Sequence, residues 1–440
     1  MSDIDTWLGV FRTRAASLSG AGLPWLAAIR QRAIERFADE GWPTQRMDHW
    51  RHTSLAFLGQ ASFDEASGGD SAAAQAAVAK LRGEDDSGHW LVFVDGCYAA
   101  ALSQVGALPA GASIGALSEA LAAQPERVQA AFGSADSGAS PVALNAALAT
   151  DGAFVHLARG TALEAPIHLV FVASAPNAAS HPRNLVVAEA GAQATIVEHW
   201  LGGGAAAASL SNAVTRIEAG ADARITHVKL QEEDQQAVHL AAIEVAQARG
   251  SVFGSHSLSF GARLARHDIV TRFEGEGCEV LLNGLYHVDG RRHVDHHTRI
   301  DHLQPRGTSR EFYRGIVDEA ARGVFAGRIV VAAGAMRTDA IQRTDNLLLS
   351  PRAEADARPE LEIYADDVKC AHGATVGQID EASLFYLRSR GIDEPHARNL
   401  LTYAFAAEAL ARIGLAPLRR RAAATLRARL PGGELMEELS

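Results

Sequence analysis

Cys370 and His372 are the pair of residue types in this chain best suited to hold a soft or borderline metal, and one residue separates them. In an extended segment, positions i and i+2 project to the same face. The thiol and the imidazole then stand side by side, while Lys369 and Ala371 face away. A thiolate beside an imidazole suits zinc, iron or an iron–sulfur species, and suits magnesium or calcium poorly. A stable site takes three or four ligands, so this pair needs others from elsewhere in the chain or from another chain. The plainer alternative makes Cys370 a small buried apolar residue and His372 a side chain satisfied by a backbone carbonyl. Spacing alone leaves both readings open.

A second concentration of ligand types runs from His287 to His302 and includes His293, His296 and His297. On a strand, His293, Asp295, His297, Arg299 and Asp301 share one face, and Val294, His296, Thr298, Ile300 and His302 share the other. Stacked polar ladders on a solvated face are the simpler account, and these histidines are taken as structural. Gly111-Ala112-Ser113-Ile114-Gly115 matches the Gly-x-Ser-x-Gly pattern of serine hydrolases, but no buried strand precedes it. Ser113 is instead expected to cap a helix running on through Gly115-Ala116-Leu117. Gly202-Gly203-Gly204 lacks the Lys-Ser/Thr that a phosphate loop requires and reads as a loop leading into four alanines. No Walker A sequence occurs, so no ATP is expected on this chain itself.

The elements that must position Cys370 and His372 fall into three stretches. Residues 1–150 read as an α-rich N-terminal domain. Trp7, Leu8, Phe11, Ala15 and Leu18 recur at helical spacing, as do Leu26, Ile29, Ala33 and Phe37, until Gly41-Trp42-Pro43 breaks the pattern. A polar, Gly- and Ser-rich stretch from Ser62 to Gly88 follows. Leu91-Val92-Phe93-Val94 before Asp95-Gly96 is a strand-then-turn signal, and Ala-rich helices follow between Ile114 and Thr150.

Residues 151–378 change character. Short β-rich runs such as Ile167–Val172, Thr195–Glu198, Arg224–Val228, Val280–Val288 and Phe325–Val331 succeed one another with Gly, Asn, Asp or Pro between most of them. No helical pattern intervenes for about two hundred residues. A sandwich needs fewer strands, and a barrel filled by its own side chains closes near about eight. So many short strands in succession predict a solenoid, in which each coil buries its face on the next. Residues 379–440 read as a C-terminal helical domain. Asp380 and Asp393 are N-caps, Gly391 and Gly414 end helices, and a last helix runs from Pro417 to Arg429 before Pro431-Gly432-Gly433. The arginines at 419, 420, 421, 427 and 429 read as a solvated face or a protein-docking surface.

Composition limits the functions open to this architecture. The 440 residues hold 41 basic and 52 acidic side chains, a formal net charge of -11, which disfavours nucleic acid as a partner. No run of eighteen apolar residues is present to cross a membrane. The acidic start Met-Ser-Asp-Ile-Asp-Thr-Trp lacks a secretory pattern. Three well-separated cysteines, Cys97, Cys278 and Cys370, form no disulfide framework, so a reducing, cytoplasmic setting is expected.

The stretch Glu362-Ile363-Tyr364-Ala365-Asp366-Asp367-Val368-Lys369-Cys370-Ala371-His372-Gly373-Ala374-Thr375-Val376-Gly377 resembles the signature of the SufB/SufD family, scaffold subunits of SUF iron–sulfur cluster assembly. The similarity continues through Leu384–Ile392 and Tyr403–Glu408. Upstream it includes Asp295-His296-His297-Thr298, Asp301-His302, Thr308-Ser309-Arg310-Glu311 and Arg322–Gly327. Length, few cysteines and a Trp-rich helical start are more similar to the SufD than to the SufB branch.

The resemblance implies a mainly β fold: a right-handed parallel β-helix core between the α-rich N-terminal and C-terminal helical domains. It implies a non-catalytic scaffold that pairs with a SufB-type subunit and docks a SufC-type ABC ATPase through its C-terminal helices. It further implies a transient iron–sulfur cluster at the subunit interface, with His372 as a ligand, Cys370 beside it, and the missing ligands on the other subunit. Many family members carry a cysteine just before the residues that are here Thr308-Ser309; this chain has Arg306-Gly307, so no ligand is carried over to that point. Two other readings stand beside this one. The first is a homodimeric interaction protein pairing along the β-helix when its partner is absent. The second is a carbohydrate-active β-helix enzyme using Asp295 and Asp301.

Overall fold

The computed structural model describes residues 3–61, 63–65, 71–83, 87–204 and 208–430. The chain opens with α1 (Asp3–Arg14) and α2 (Pro24–Glu40), followed by β1 (Asp64–Glu65), α3 (Ala72–Arg82), β2 (His89–Val94), β3 (Cys97–Tyr98) and β4 (Ala112–Ala116). Then come α4 (Leu117–Ala123), α5 (Pro125–Phe132) and α6 (Ser140–Leu148). The apolar stripe that predicts α1 and α2 is buried: Trp7 and Phe11 meet Phe37 and Trp42, with Trp7 and Trp42 in an edge contact at 5.7 Å. A first-turn proline starts α2, and Gly41, with φ of 66°, ends it.

One expectation for this region fails, and one helix lies where no element was read. The polar stretch after Ser62 contains α3, capped by Ser71 Oγ accepting from the Ala74 amide at 2.9 Å and buried through Ala74, Val78 and Leu81. Its alanines are good helix formers that the surrounding Gly and Ser obscure. Ser113 does not cap a helix. It lies inside β4, opposite His156 of a long-range antiparallel partner, and the helix starts four residues later at Leu117. The edge of that distant strand satisfies backbone groups of β4 that a local turn would have left unpaired.

The core is a parallel β-solenoid of about 8 turns. Its strands are β5 (Ala153–Leu157), β6 (Ile167–Ala173), β7 (Ala178–Ser180), β8 (Arg183–Ala188), β9 (Gln193–Gly202), β10 (Leu210–Ala219) and β11 (Arg224–Glu232). They continue as β12 (Val238–Gln247), β13 (Val252–Ser259), β14 (Leu264–Phe273), β15 (Glu279–Val288), β16 (His293–His302) and β17 (Thr308–Val317). The last are β18 (Arg322–Val331), β19 (Asp339–Leu348), β20 (Glu354–Ile363) and β21 (Lys369–Gly377). Even-numbered strands from β8 to β20 build one sheet with β5 and β4; odd-numbered strands from β9 to β21 build the other with β6, β2 and β3.

The chain changes sheet at corners that need a left-handed residue. Gly191, Asp222, Gly250, Gly277, Arg306 and Arg337 have φ between 58° and 72°, and each lies two residues before a strand of the second sheet. Glycine takes this conformation without strain and Asp tolerates it. The two arginines do so at some cost, which equivalent corners in neighbouring coils hold in place. Between the sheets, like side chains stack coil on coil: Phe93, Phe171 and Trp200 form a pile with ring spacings of 5.1 and 4.2 Å.

Not all the inward rows are apolar. Strand β16 alternates as its sequence predicts, but His296 and His302 face the interior, at 1 % and 0 % exposure, rather than a solvated face. His296 stacks on His267 at 4.8 Å, inside the solenoid. Polar side chains can occupy these rows because identical neighbours above and below offer ring contacts that water would otherwise supply.

The C-terminal helices α7 (Glu381–Ser389), α8 (Glu394–Leu410) and α9 (Ala416–Arg429) form as the caps predict, with Asp380 and Asp393 accepting from the amides of Ser383 and His396 at 2.8 and 3.0 Å. Ala406, Ala409 and Leu410 of α8 pack with Leu418, Ala422 and Leu426 of α9 on the outer face of the second sheet, against Leu230, Leu258, Leu285 and Phe312. The arginine run of α9 is not wholly solvated: Arg421 binds Glu232 of β11 at 2.7 Å and pins the helix to the sheet. Ala205 to Ala207 in the predicted loop, and the Pro431-Gly432-Gly433 stop, lie outside the described residues.

Burial holds several imidazoles neutral. His181 and His296 are pushed down to about 3 and His256 and His302 to about 4, in each case chiefly by desolvation. These groups bind fewer protons folded than unfolded, so stability must fall as pH drops below the ordinary histidine value of about 6.5. Urea unfolding at about pH 7 and about pH 5 is expected to show a strong acid loss. His296→Gln should reduce that loss by up to ~1.4 kcal/mol per pH unit; an unchanged slope would mean that His296 is not neutral in the fold.

Candidate functional site

Strand β21 is the last of its sheet, and β20 is the last of the other. Strand β21 pairs in parallel with β19, Cys370 opposite Ala340 and His372 opposite Gln342. Ala340 and Gln342 are inward-facing, at 0 % and 1 % exposure. Cys370 and His372 therefore continue two positions of an inward row past the point where a further coil would cover them. The alternation read from sequence puts them on one face, and the register puts that face over the open end of the solenoid. Cys370 is half-buried against the core and His372 is exposed.

The Cys370 thiol is pushed above its usual range, first by desolvation and then by Asp339, with the Ala340 backbone acting the other way. An uncompensated thiol here is protonated and slow to react; a bound cation would reverse that. Among the described residues, no group of three or more His, Cys, Asp or Glu side chains could hold a metal ion. The pair is thus short of a complete ligand set within this chain.

The other candidates are accounted for elsewhere. Cys278 is fully buried, its thiol donating to the carbonyls of Ala248 and Gly275, both at 3.1 Å. Asp295 pairs with Arg266 at 2.7 Å and His297 at 2.9 Å, and accepts from Thr53. Burial pulls its carboxyl up, but His297 and Arg266 pull it further down, well below the usual carboxylate range. Asp301 pairs with Arg299 at 2.8 Å. Two carboxylates committed to ion pairs cannot serve as the acid and base of a glycosidase. Arg266 also lies 3.6 Å from the Trp50 ring centroid, so this cluster clamps the N-terminal segment to the solenoid. Beside it a groove of about 550 Å³ opens between Trp50 and the outer face of the first sheet, and neither Cys370 nor His372 lines it.

Two family models match successive stretches of the chain. The SUF system FeS cluster assembly, SufBD core domain covers residues 171–405, and the SufBD protein N-terminal region covers residues 1–169. The chain belongs to the SufBD family. This SufBD protein is 33% identical over 433 residues to an iron–sulfur cluster assembly SufBD family protein of Synechocystis, spanning 96% of this chain and 94% of the relative. It is also 33% identical over 408 residues to the iron–sulfur cluster assembly protein SufD of Escherichia coli, spanning 92% and 93%. The SufD of Bacillus subtilis matches at 27% over 273 residues, 60% of this chain and 61% of that one. The protein is a SufD-like member of the SUF iron–sulfur cluster assembly family, as the Cys370–His372 signature implied.

Sequence reading missed the polar interior beneath this end of the SufBD core. Glu311 and Gln342, at 3 % and 1 % exposure, bond to each other in the inward row that ends at His372. Their alternation with apolar residues was visible; that it faced inward was not.

Cys370 and Cys278 should differ in reactivity. In the folded chain, iodoacetamide is expected to label Cys370 slowly at about pH 7 and faster as the pH approaches about 9, while Cys278 stays unlabelled until the protein unfolds. Peptide mapping by mass spectrometry reads this directly, and rapid labelling of Cys278 in the folded chain would contradict the burial described.

Proposed function

We propose that this SufBD-family protein is a non-catalytic scaffold subunit that pairs, through the open end of its β-helix, with a SufB-type subunit. The cluster is cargo, built transiently at the interface and then passed on. His372 and Cys370 supply this chain's share of its ligands, and the other subunit supplies the rest. The observation that carries the reading is positional: the ligand pair sits on the inward row of the last coil, between two strands whose outer edges lack a partner. Free edges of this kind take up another strand. A site completed from two chains is made and dismantled with the interface, which suits a cargo that must leave.

The C-terminal helices are the docking surface for a SufC-type ABC ATPase in this reading. Phe385 and Tyr386 of α7 are 73% and 55% exposed, and large aromatic side chains at such exposure mark an interaction surface. Pairing of two copies of this chain through the same open end is the second reading, favoured by the same unpartnered edges. The reducing, cytoplasmic setting inferred from the unpaired cysteines agrees with thiolate ligation.

Iron and acid-labile sulfide, measured in the three-protein complex purified without oxygen, test the ligand. His372→Ala should leave the complex assembled and remove most of the cluster; unchanged cluster content would place the chemistry in the other subunit. Phe385→Asp combined with Tyr386→Asp should release the ATPase on a sizing column while the SufB-type subunit stays bound, and retention of the ATPase would move its docking surface elsewhere.

A further inference from the structure

The rows leading to the open end carry charge through the middle of the solenoid. On one inward row of the second sheet, His227, Ser255, Leu282, Glu311, Gln342 and His372 are successive register partners. The adjacent inward row runs from Glu198 and Lys229 to Tyr313. On the facing sheet, His267 and His296 are register partners with rings 4.8 Å apart, and the His239 ring, two positions along the neighbouring strand from the partner of His267, lies 5.1 Å from the His267 ring. Ser259 Oγ sits between two of them, 3.0 Å from His267 Nε2 and 3.1 Å from His296 Nε2. Glu233 lies 2.8 Å from His239, and Glu198 lies 3.2 Å from His227.

Stability does not ask for such an interior. Replacing buried charges with apolar side chains of similar size is often neutral or stabilising. Among the described residues, Lys229 Nζ, His267 Nδ1, His296 Nδ1 and Gln342 Oε1 are buried with no hydrogen-bond partner. Atoms of this kind are met by ordered water. Gly327 makes room for the Gln342 amide near the end of the row: a Cβ there would lie 2.0 Å from Gln342 Nε2, the group that donates to Glu311.

We propose that this buried polar track is a water-threaded proton relay that exchanges protons with the open-end site through Glu311 and Gln342. The inference rests on the reading of Cys370 and His372 as ligands. A thiol or water that binds a metal gives up its proton, and a site closed between two subunits needs a route for it. The proton passes along water beside Gln342 to the Glu311 carboxylate, forming an O–H bond and a neutral carboxylic acid; no electron moves. The return step breaks that O–H bond. Inward of Glu311, the Tyr313 ring lies 5.5 Å from that of His296, a neutral imidazole that carries the track on without storing a proton. Burial raises the Glu311 carboxyl to about 7, with Thr298 of β16 and Gln342 of β19 acting the other way and Tyr313 beside it on its own strand. Glu311 therefore takes up and releases a proton near neutrality. Glu311 is a positioning residue in this scheme, since it touches no cargo.

Infrared titration of the full isolated chain tests the seat. Wild type should show a protonated-carboxyl band at about pH 6 that is lost by about pH 8, and Glu311→Gln should lack it. A Glu311 carboxyl ionised throughout that range overturns the proposal. The second arm is the rate of cluster formation against pH in the three-protein complex. Glu311→Gln should slow it at least about tenfold near neutral pH and flatten the profile, without loss of assembly. If His372→Ala loses the cluster while Glu311→Gln keeps the wild-type rate and profile, the relay falls and the ligand reading stands. If His372→Ala keeps the cluster, both fall.

Discussion

The whole structure depends on one repeated interaction, the in-register parallel hydrogen bonding of each coil to the next. Each inner strand finds partners for its backbone on both sides, so turns, side-chain rows and corner geometry are all phased by it. That regularity has an end. At β20 and β21 the ladder stops, and among the described residues neither outer edge has a strand partner. A thiol and an imidazole placed anywhere else in these rows would be buried and closed. Placed at the last coil, Cys370 and His372 keep the fixed geometry of a sheet and the accessibility of a surface.

The same phasing explains why the solenoid can carry charge inside. A buried Lys229 or Glu311 is costly because it leaves water. In a globular core that cost falls on a single ad hoc arrangement, whereas here each row repeats its geometry, so a polar side chain always has neighbours at strand spacing. Glu198 illustrates the compensation. Burial raises its carboxyl, but His227 and Lys229 pull it well below the usual range, and Thr215 and Trp200 add hydrogen bonds at 2.6 and 2.9 Å. Burial raises the Glu311 carboxyl to about 7, opposed by hydrogen bonds from the Thr298 and Gln342 side chains. Two carboxyls of one type, in neighbouring inward rows, are thereby shifted in opposite directions by what stacks beside them.

How much of this was legible in the sequence follows from how far each signal reaches. The rhythm of short strands with Gly, Asn, Asp or Pro between most of them is local, and it gives a solenoid without any knowledge of partners. Asp380 and Asp393 act on amides three residues away, so their helices were legible too. Ser113 was misread because the strand it joins finds its partner at His156, across three intervening helices. The histidines of β16 show a subtler limit. Their alternation was plain, but an alternating pattern does not say which face is inside when both carry polar residues. Hydrophobicity assigns the solvent to them; only the stacking of His239, His267 and His296 shows otherwise. Spacing named no partner for Cys370 and His372, and among the described residues no third His, Cys, Asp or Glu joins them in a group that could hold a metal ion.

Strand β17 ties these features into one mechanical unit. Its inward face carries Glu311 and Tyr313, and its outward face carries Phe312, Arg314 and Ile316. The Arg314 guanidinium binds the Phe405 carbonyl and the Glu408 carboxylate of α8 and lies 4.5 Å from the Phe405 ring. Its Nη2 is also 3.9 Å from Asp345 of β19, the strand on which β21 rests. Asp345 in turn accepts from Thr375 of β21 at 2.7 Å. A displacement of α8 therefore bears on β17 and β19 together, and through the Asp345–Thr375 bond it reaches the strand of Cys370 and His372. The path is short, continuous and built of charge-assisted contacts, which transmit displacement better than apolar packing because their geometry is directional. Helices that look like an appendage to the solenoid are thus coupled to its open end.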